Sequence, residues 1–151
     1  MKKILIIILS IIMLPIKAYA LIEVDITRGN LNPLPIAVSP LSIDENSRQN
    51  FKKILNKKNI GSEISSVVEK NLKASGLFNP LDKDAFLQAP DIANLKPRFE
   101  DWNLIKAQAL ITGKVSFVND KLRVEFRLWD VLAGKEMMAL AFTTVPNNWR
   151  R

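Results

Sequence analysis

Residues 111–145 read ITGKVSFVNDKLRVEFRLWDVLAGKEMMALAFTTV, and the alternation within them decides the fold. Ile111, Gly113, Val115 and Phe117 hold one set of positions, with Thr112, Lys114 and Ser116 between them. A strand shows successive side chains to opposite faces, so this period of two predicts a half-buried strand. Asn119 and Asp120 tolerate the left-handed backbone of a tight hairpin turn. The returning strand alternates strictly, with Leu122, Val124, Phe126 and Leu128 inward and Lys121, Arg123, Glu125 and Arg127 outward. One face of this hairpin is predicted to be buried and the other wet. Ala133 and Gly134 turn the chain again, residues 135–145 form the third strand of a meander, and Pro146 stops it.

Upstream, Pro35, Ile36, Ala37 and Val38 form a near-continuous apolar run closed by Pro40, which suits an interior strand covered on both faces. Residues 42–59 are polar and rich in Lys and Asn, and the spacing of Phe51, Ile54 and Leu55 predicts a short amphipathic helix there. Ile60, Ile64, Val67, Val68 and Leu72 then recur at helical spacing. This is the principal helix, its stripe facing the sheet and its end marked by Ser75 and Gly76. Residues 77–81 follow as a turn or short strand, and Asp82 caps a helical turn reaching Phe86. Pro90 and Pro97 bracket an irregular stretch. Phe99 to Lys106 reads as a second short helix whose Trp102 seals the edge of the core. Nearer the start, Ile22, Val24 and Ile26 alternate with Glu23, Asp25 and Thr27, a half-buried strand broken by Arg28, Gly29 and Asn30. The order predicts one mixed sheet of about five strands with helices packed on it, an α/β domain with the layered architecture of an anticodon-binding domain.

The chain has 151 residues, of which 48% are apolar, a size that fits one domain with a real core. It contains neither Cys nor His. That excludes serine and cysteine triads built on His, Cys/His zinc sites, disulfides and thiol redox chemistry. Residues 1–20 are read as an export signal. Lys2 and Lys3 precede an apolar stretch from Ile4 to Leu14, and Ala18, Tyr19 and Ala20 give the small-x-small pattern of a cleavage site after Ala20. Eleven helical residues at ~1.5 Å each cover roughly half of a ~30 Å hydrocarbon core, which argues against a stable membrane anchor. Cleavage removes Lys2, Lys3 and Lys17, leaving 19 basic against 15 acidic residues, a net +4. Such mild basicity gives no ground for nucleic-acid binding. Lys52, Lys53, Lys57 and Lys58 read as a solvated helix face.

Carboxylates, hydroxyls, amines and aromatics are left to do chemistry. The pairs Asp44/Glu45, Asp82/Asp84 and Glu100/Asp101 are too close in sequence to face one another across a cleft, so they read as helix-start residues and not as a glycosidase dyad. No phosphate-cradling glycine loop or calcium loop is present, and no cofactor is implied. Met137 and Met138 read as packing in a strand. Trp129 covers the rim of the sheet, or offers a sugar-stacking platform in the rival reading of an exported carbohydrate binder or carboxylate-based envelope enzyme. The segment of residues 21–27 reads as an ordinary edge strand. It can also be lent to another protein's sheet, because main-chain donors and acceptors are equivalent in either place.

Several of these stretches in this order carry a family resemblance: residues 35–38, 75–81, Trp102, 111–115, 122–130 with Gly134 and Lys135, and Trp149, Arg150 and Arg151. Over residues 21–151 the chain resembles the N-terminal domain of the TolB family of the Tol-Pal system. The family continues into a further helix and a β-propeller, and residues 42–59 are longer and more basic here than the family pattern. The resemblance implies a non-enzymatic periplasmic module supporting outer-membrane integrity and constriction during cell division. It implies that Leu21, Ile22, Glu23, Val24, Asp25, Ile26 and Thr27 engage a TolA-like periplasmic domain, with Arg28, Gly29 and Asn30 as their hinge. Pal would be a partner only where a propeller is supplied.

Overall fold

A computed structural model of the protein describes residues 32–56 and 59–150. The hairpin that the alternation predicts is its spine. Strands β4 (Ala109–Val118) and β5 (Lys121–Asp130) pair antiparallel over ten positions, from Ala109 against Asp130 to Val118 against Lys121. The turn between them is built as its residue types require, with Asn119 at φ 50° and Asp120 at φ 58°. Strand β6 (Lys135–Thr144) returns antiparallel along β5, with an irregularity in register at Leu128/Trp129.

β1 (Leu34–Val38) lies inside the sheet, parallel to β4 on one side and to β3 (Phe78–Pro80) on the other. Its apolar run is therefore explained: Ile36, Ala37 and Val38 are all buried. The strand order is β3-β1-β4-β5-β6, and a two-residue strand, β2 (Ser42–Ile43), also runs parallel to β4. The expectation of a mixed sheet with packed helices is met. β2 is an addition to it, made because Ser42 Oγ donates to the Gly113 carbonyl at 3.1 Å and the Asp44 N–H to the Val115 carbonyl at 2.9 Å.

Two cores form on opposite faces of the sheet. Helix α1 (Arg48–Leu55) and helix α2 (Ile60–Ala74) cover one face, where Phe51, Ile60 and Ile64 pack with Leu41, Val115, Leu122 and Val124. Gly61 lets α2 come close: a Cβ there would overlap the Leu41 carbonyl oxygen. Gly76, at φ 72°, turns the chain after α2 as Ser75-Gly76 predicts.

On the other face, after helix α3 (Pro90–Leu95), helix α4 (Phe99–Leu104) brings Trp102 against Ala37, Ala107, Leu110 and Val131, with Leu81, Phe86, Ile105 and Trp129 packed around them. Two expectations are corrected here. The stretch between Pro90 and Pro97 is helical, because Pro90 sits at the start, where its missing N–H costs nothing. The second face of the hairpin is not uniformly wet either: Leu110, Thr112 and Ser116 are buried, while Lys114, Arg123, Glu125 and Arg127 carry its charge. Trp102, read as an edge seal, is 1% exposed and lies inside this second core.

Candidate interaction site

Several of the acidic residues singled out in the sequence are engaged structurally. Asp82 accepts the Asp84 N–H at 3.0 Å, as a residue that starts a helical turn should. Glu100 and Asp101 lie in the first turn of α4, and Asp101 pairs with Arg98 at 2.6 Å. Asp44 accepts from Ser47 Oγ at 3.0 Å and pairs with Lys114 at 3.4 Å. Among the described residues no three His, Cys, Asp or Glu side chains cluster so as to hold a metal ion, and no helix is long and apolar enough to cross a membrane.

Trp102 and the stacking candidate Trp129 are likewise engaged. The Trp102 Nε1–H donates to Gln88 Oε1 at 3.0 Å, and Phe86 meets the ring edge-on with centroids 5.0 Å apart. The Trp129 Nε1–H donates to Thr112 Oγ1 at 2.8 Å, and Phe99 packs against its ring. Trp129 is thus a rim cover, as its place in the sequence suggests.

A continuous apolar surface is left available on the β5–β6 side. Helix α2 seals its sheet face with Ile60 and Ile64, but Val67 and Val68 further along are only half-buried. Val68 borders a groove of ≈ 230 Å³ that Ile111, Phe126, Leu128, Met138 and Leu140 also line. It adjoins a second hollow of ≈ 340 Å³ that reaches Phe142 and Trp149. Met138 therefore lines a groove and is 51% exposed, while Met137 is 60% exposed. Phe126 and Leu128, predicted to point inward, do so but stay half-buried for the same reason. Sequence reasoning missed this surface. Its signal is that residues 137–145 contain no charge at all, where the preceding strand alternates charge with apolar side chains.

The residues assigned to partner binding, Leu21, Ile22, Glu23, Val24, Asp25, Ile26 and Thr27, lie outside the described residues, as do Arg28, Gly29 and Asn30. The described chain enters the sheet soon after them: β1 begins at Leu34, whose N–H donates to the Leu77 carbonyl at 2.9 Å. With this arrangement in view, a family model described as the TolB amino-terminal domain matches residues 22–137. The chain belongs to the TolB amino-terminal domain family. The match includes all but the first of residues 21–27. The Tol-Pal system protein TolB of Pelagibacter ubique (strain HTCC1062) is 82% identical over 140 residues, which are 93% of this chain and 31% of that protein. The chain therefore spans about a third of the length of this curated relative. A crystal structure of TolB from Acinetobacter baumannii shares the fold, with a TM-score of 0.58 at 19% identity over 78% of this chain and 25% of that one.

Proposed function

We propose that this chain is a non-enzymatic, periplasmic protein-interaction module of the Tol-Pal system, supporting outer-membrane integrity and constriction during cell division. The observation that carries the reading is the 82% identity to a Tol-Pal system protein TolB, within a family match that starts at Ile22. The export signal of residues 1–20, with cleavage after Ala20, fits a periplasmic destination. Absence of His and Cys from the sequence fits a role without nucleophilic or metal chemistry.

Residues 21–27 are the partner-binding segment in this proposal. Freed by signal removal, they add as a strand to the sheet edge of a TolA-like periplasmic domain. Main-chain hydrogen bonds supply affinity, and Ile22, Val24 and Ile26 occupy alternate pockets on one side of the added strand. Arg28, Gly29 and Asn30 give the segment its swing, since glycine carries no Cβ to restrict the backbone. Ordering such a segment costs on the order of 1 kcal/mol or more per residue, so the affinity is modest and can be regulated. Pal enters as a partner where a propeller is joined to the domain. Calorimetric titration of a TolA C-terminal domain tests the reading: the chain beginning at Leu21 binds, and the chain beginning at Arg28 does not. Equal heats from the two would overturn it.

A further inference from the structure

The two ends of the sheet are unequal. β3 has three residues and ends in Pro80, whereas β6 has ten, and among the described residues no strand lies on its outer side. From Met137 to Thr144 β6 has no charged residue and no proline, two of the devices that stop a free edge from pairing. We propose that the strand completing this edge is β6 of a second copy, antiparallel about a two-fold axis at Leu140, so that one sheet runs through a symmetric dimer.

Charge selects the register. Within the chain, Arg127 stands beside Ala139, Glu125 beside Ala141 and Arg123 beside Thr143, all on the outer face. With Leu140 facing Leu140 of the second copy, Ala139 faces Ala141 of that copy. Each row across the dimer then reads Arg127, Ala139, Ala141, Glu125, and unlike charges look at each other over two alanines. The two β5 strands are three strand spacings apart, roughly 14 Å. An extended arginine and glutamate close most of that gap, directly or through one water. On the groove face Met138 meets Phe142, and Leu140 meets itself.

The adjacent registers fail, and centring the axis on Phe142, which also sets Glu125 against Arg123, pairs only residues 140–144 of each strand. Centring the axis on Ala139 sets Arg127 against Arg127. Centring it on Ala141 sets Glu125 against Glu125 and Arg127 against Arg123. Shifts that put unlike faces together are excluded by the pleat. The existing pairs, Arg123 with Glu125 at 2.9 Å and Arg127 with Glu136 at 3.7 Å, are partly exposed and need not break. Pairing across the axis joins them into one row of alternating sign.

Sedimentation velocity on the protein purified from the periplasm of an expressing bacterium tests this. A monomer–dimer equilibrium is expected at micromolar concentration. Glu125→Arg alone and Arg127→Glu alone should each sediment as monomers with unchanged circular dichroism. An equimolar mixture of the two should regain the dimer, because one variant presents only positive and the other only negative charge at the facing positions. The chain has no cysteine, so Leu140→Cys should form an interchain disulfide on mild oxidation, whereas Asn148→Cys should not. A monomeric wild type at high micromolar concentration, a dimer untouched by both charge variants, or a mixture that stays monomeric would overturn the proposal. Should the charge variants fail to fold, the cysteine pair decides it.

Discussion

Gln88 is the residue on which the second core turns. Its Oε1 accepts both the Trp102 Nε1–H at 3.0 Å and the Arg98 N–H at 3.0 Å, and its Nε2 donates to the Lys96 carbonyl at 3.3 Å. With the residue only 4% exposed, removing the amide strands an indole donor away from water. Each buried group left unpaired costs about 1–3 kcal/mol. Gln88→Ala should therefore lower the stability read from urea unfolding by about 2–4 kcal/mol, with an unchanged denaturant slope. A second contrast separates two glycines. Gly61→Ala drives a Cβ into the Leu41 carbonyl, and overpacking of that kind costs about 1–3 kcal/mol or more. Gly76→Ala meets no atom within 4 Å and bears only the backbone penalty of φ 72°, about 1–2 kcal/mol. The first substitution should be the more damaging in thermal melts, and the reverse order would refute the close-approach argument. Neither Gln88 nor Gly61 was legible beforehand. An isolated glutamine and a glycine inside a helical pattern carry no periodic signal, and their roles come from what folds against them.

At the scale of elements, legibility followed length and alternation. The meander was readable because β4 and β5, ten residues each, repeat a period of two long enough to exclude a helix, and Gly134 and Pro146 bound the third strand. Helix α2 was readable from five apolar positions and its terminal glycine. Helix α3 was not, since six residues complete fewer than two turns and establish no period. β2 escaped for a similar reason, its two residues being held by β4 and not by their own pattern. The hairpin turn offers a direct check. Asp120 carries φ 58°, where glycine is at ease, so Asp120→Gly should raise stability by about 0.5 kcal/mol and leave the register unchanged. A destabilised hairpin, seen as faster amide exchange in β4 and β5, would contradict the turn assignment.

At the scale of the whole molecule, the described residues form a sheet with a core on each face and an apolar flank that the described helices do not cover. That uneven covering explains why a strictly alternating strand can hold a buried Leu122 and half-buried Phe126 and Leu128 in the same row. Pattern specifies which face a side chain takes; whether a second layer arrives there is decided by other segments. The candidate binding segment stands the other way round: its alternation is legible in the sequence, and its residues lie outside those described. If Ile22, Val24 and Ile26 fill pockets on a TolA-like domain, each apolar side chain is worth about 1.5–3 kcal/mol on burial, and Glu23 and Asp25 on the opposite side contribute little. Calorimetric titration of that domain with face-specific variants tests this most directly. Replacing Ile22, Val24 and Ile26 together by Ser should weaken binding at least about a hundredfold, while replacing Glu23 and Asp25 by Ser should change it by no more than about fivefold. Equal losses from both faces, or wild-type affinity in the apolar triple variant, would contradict the account.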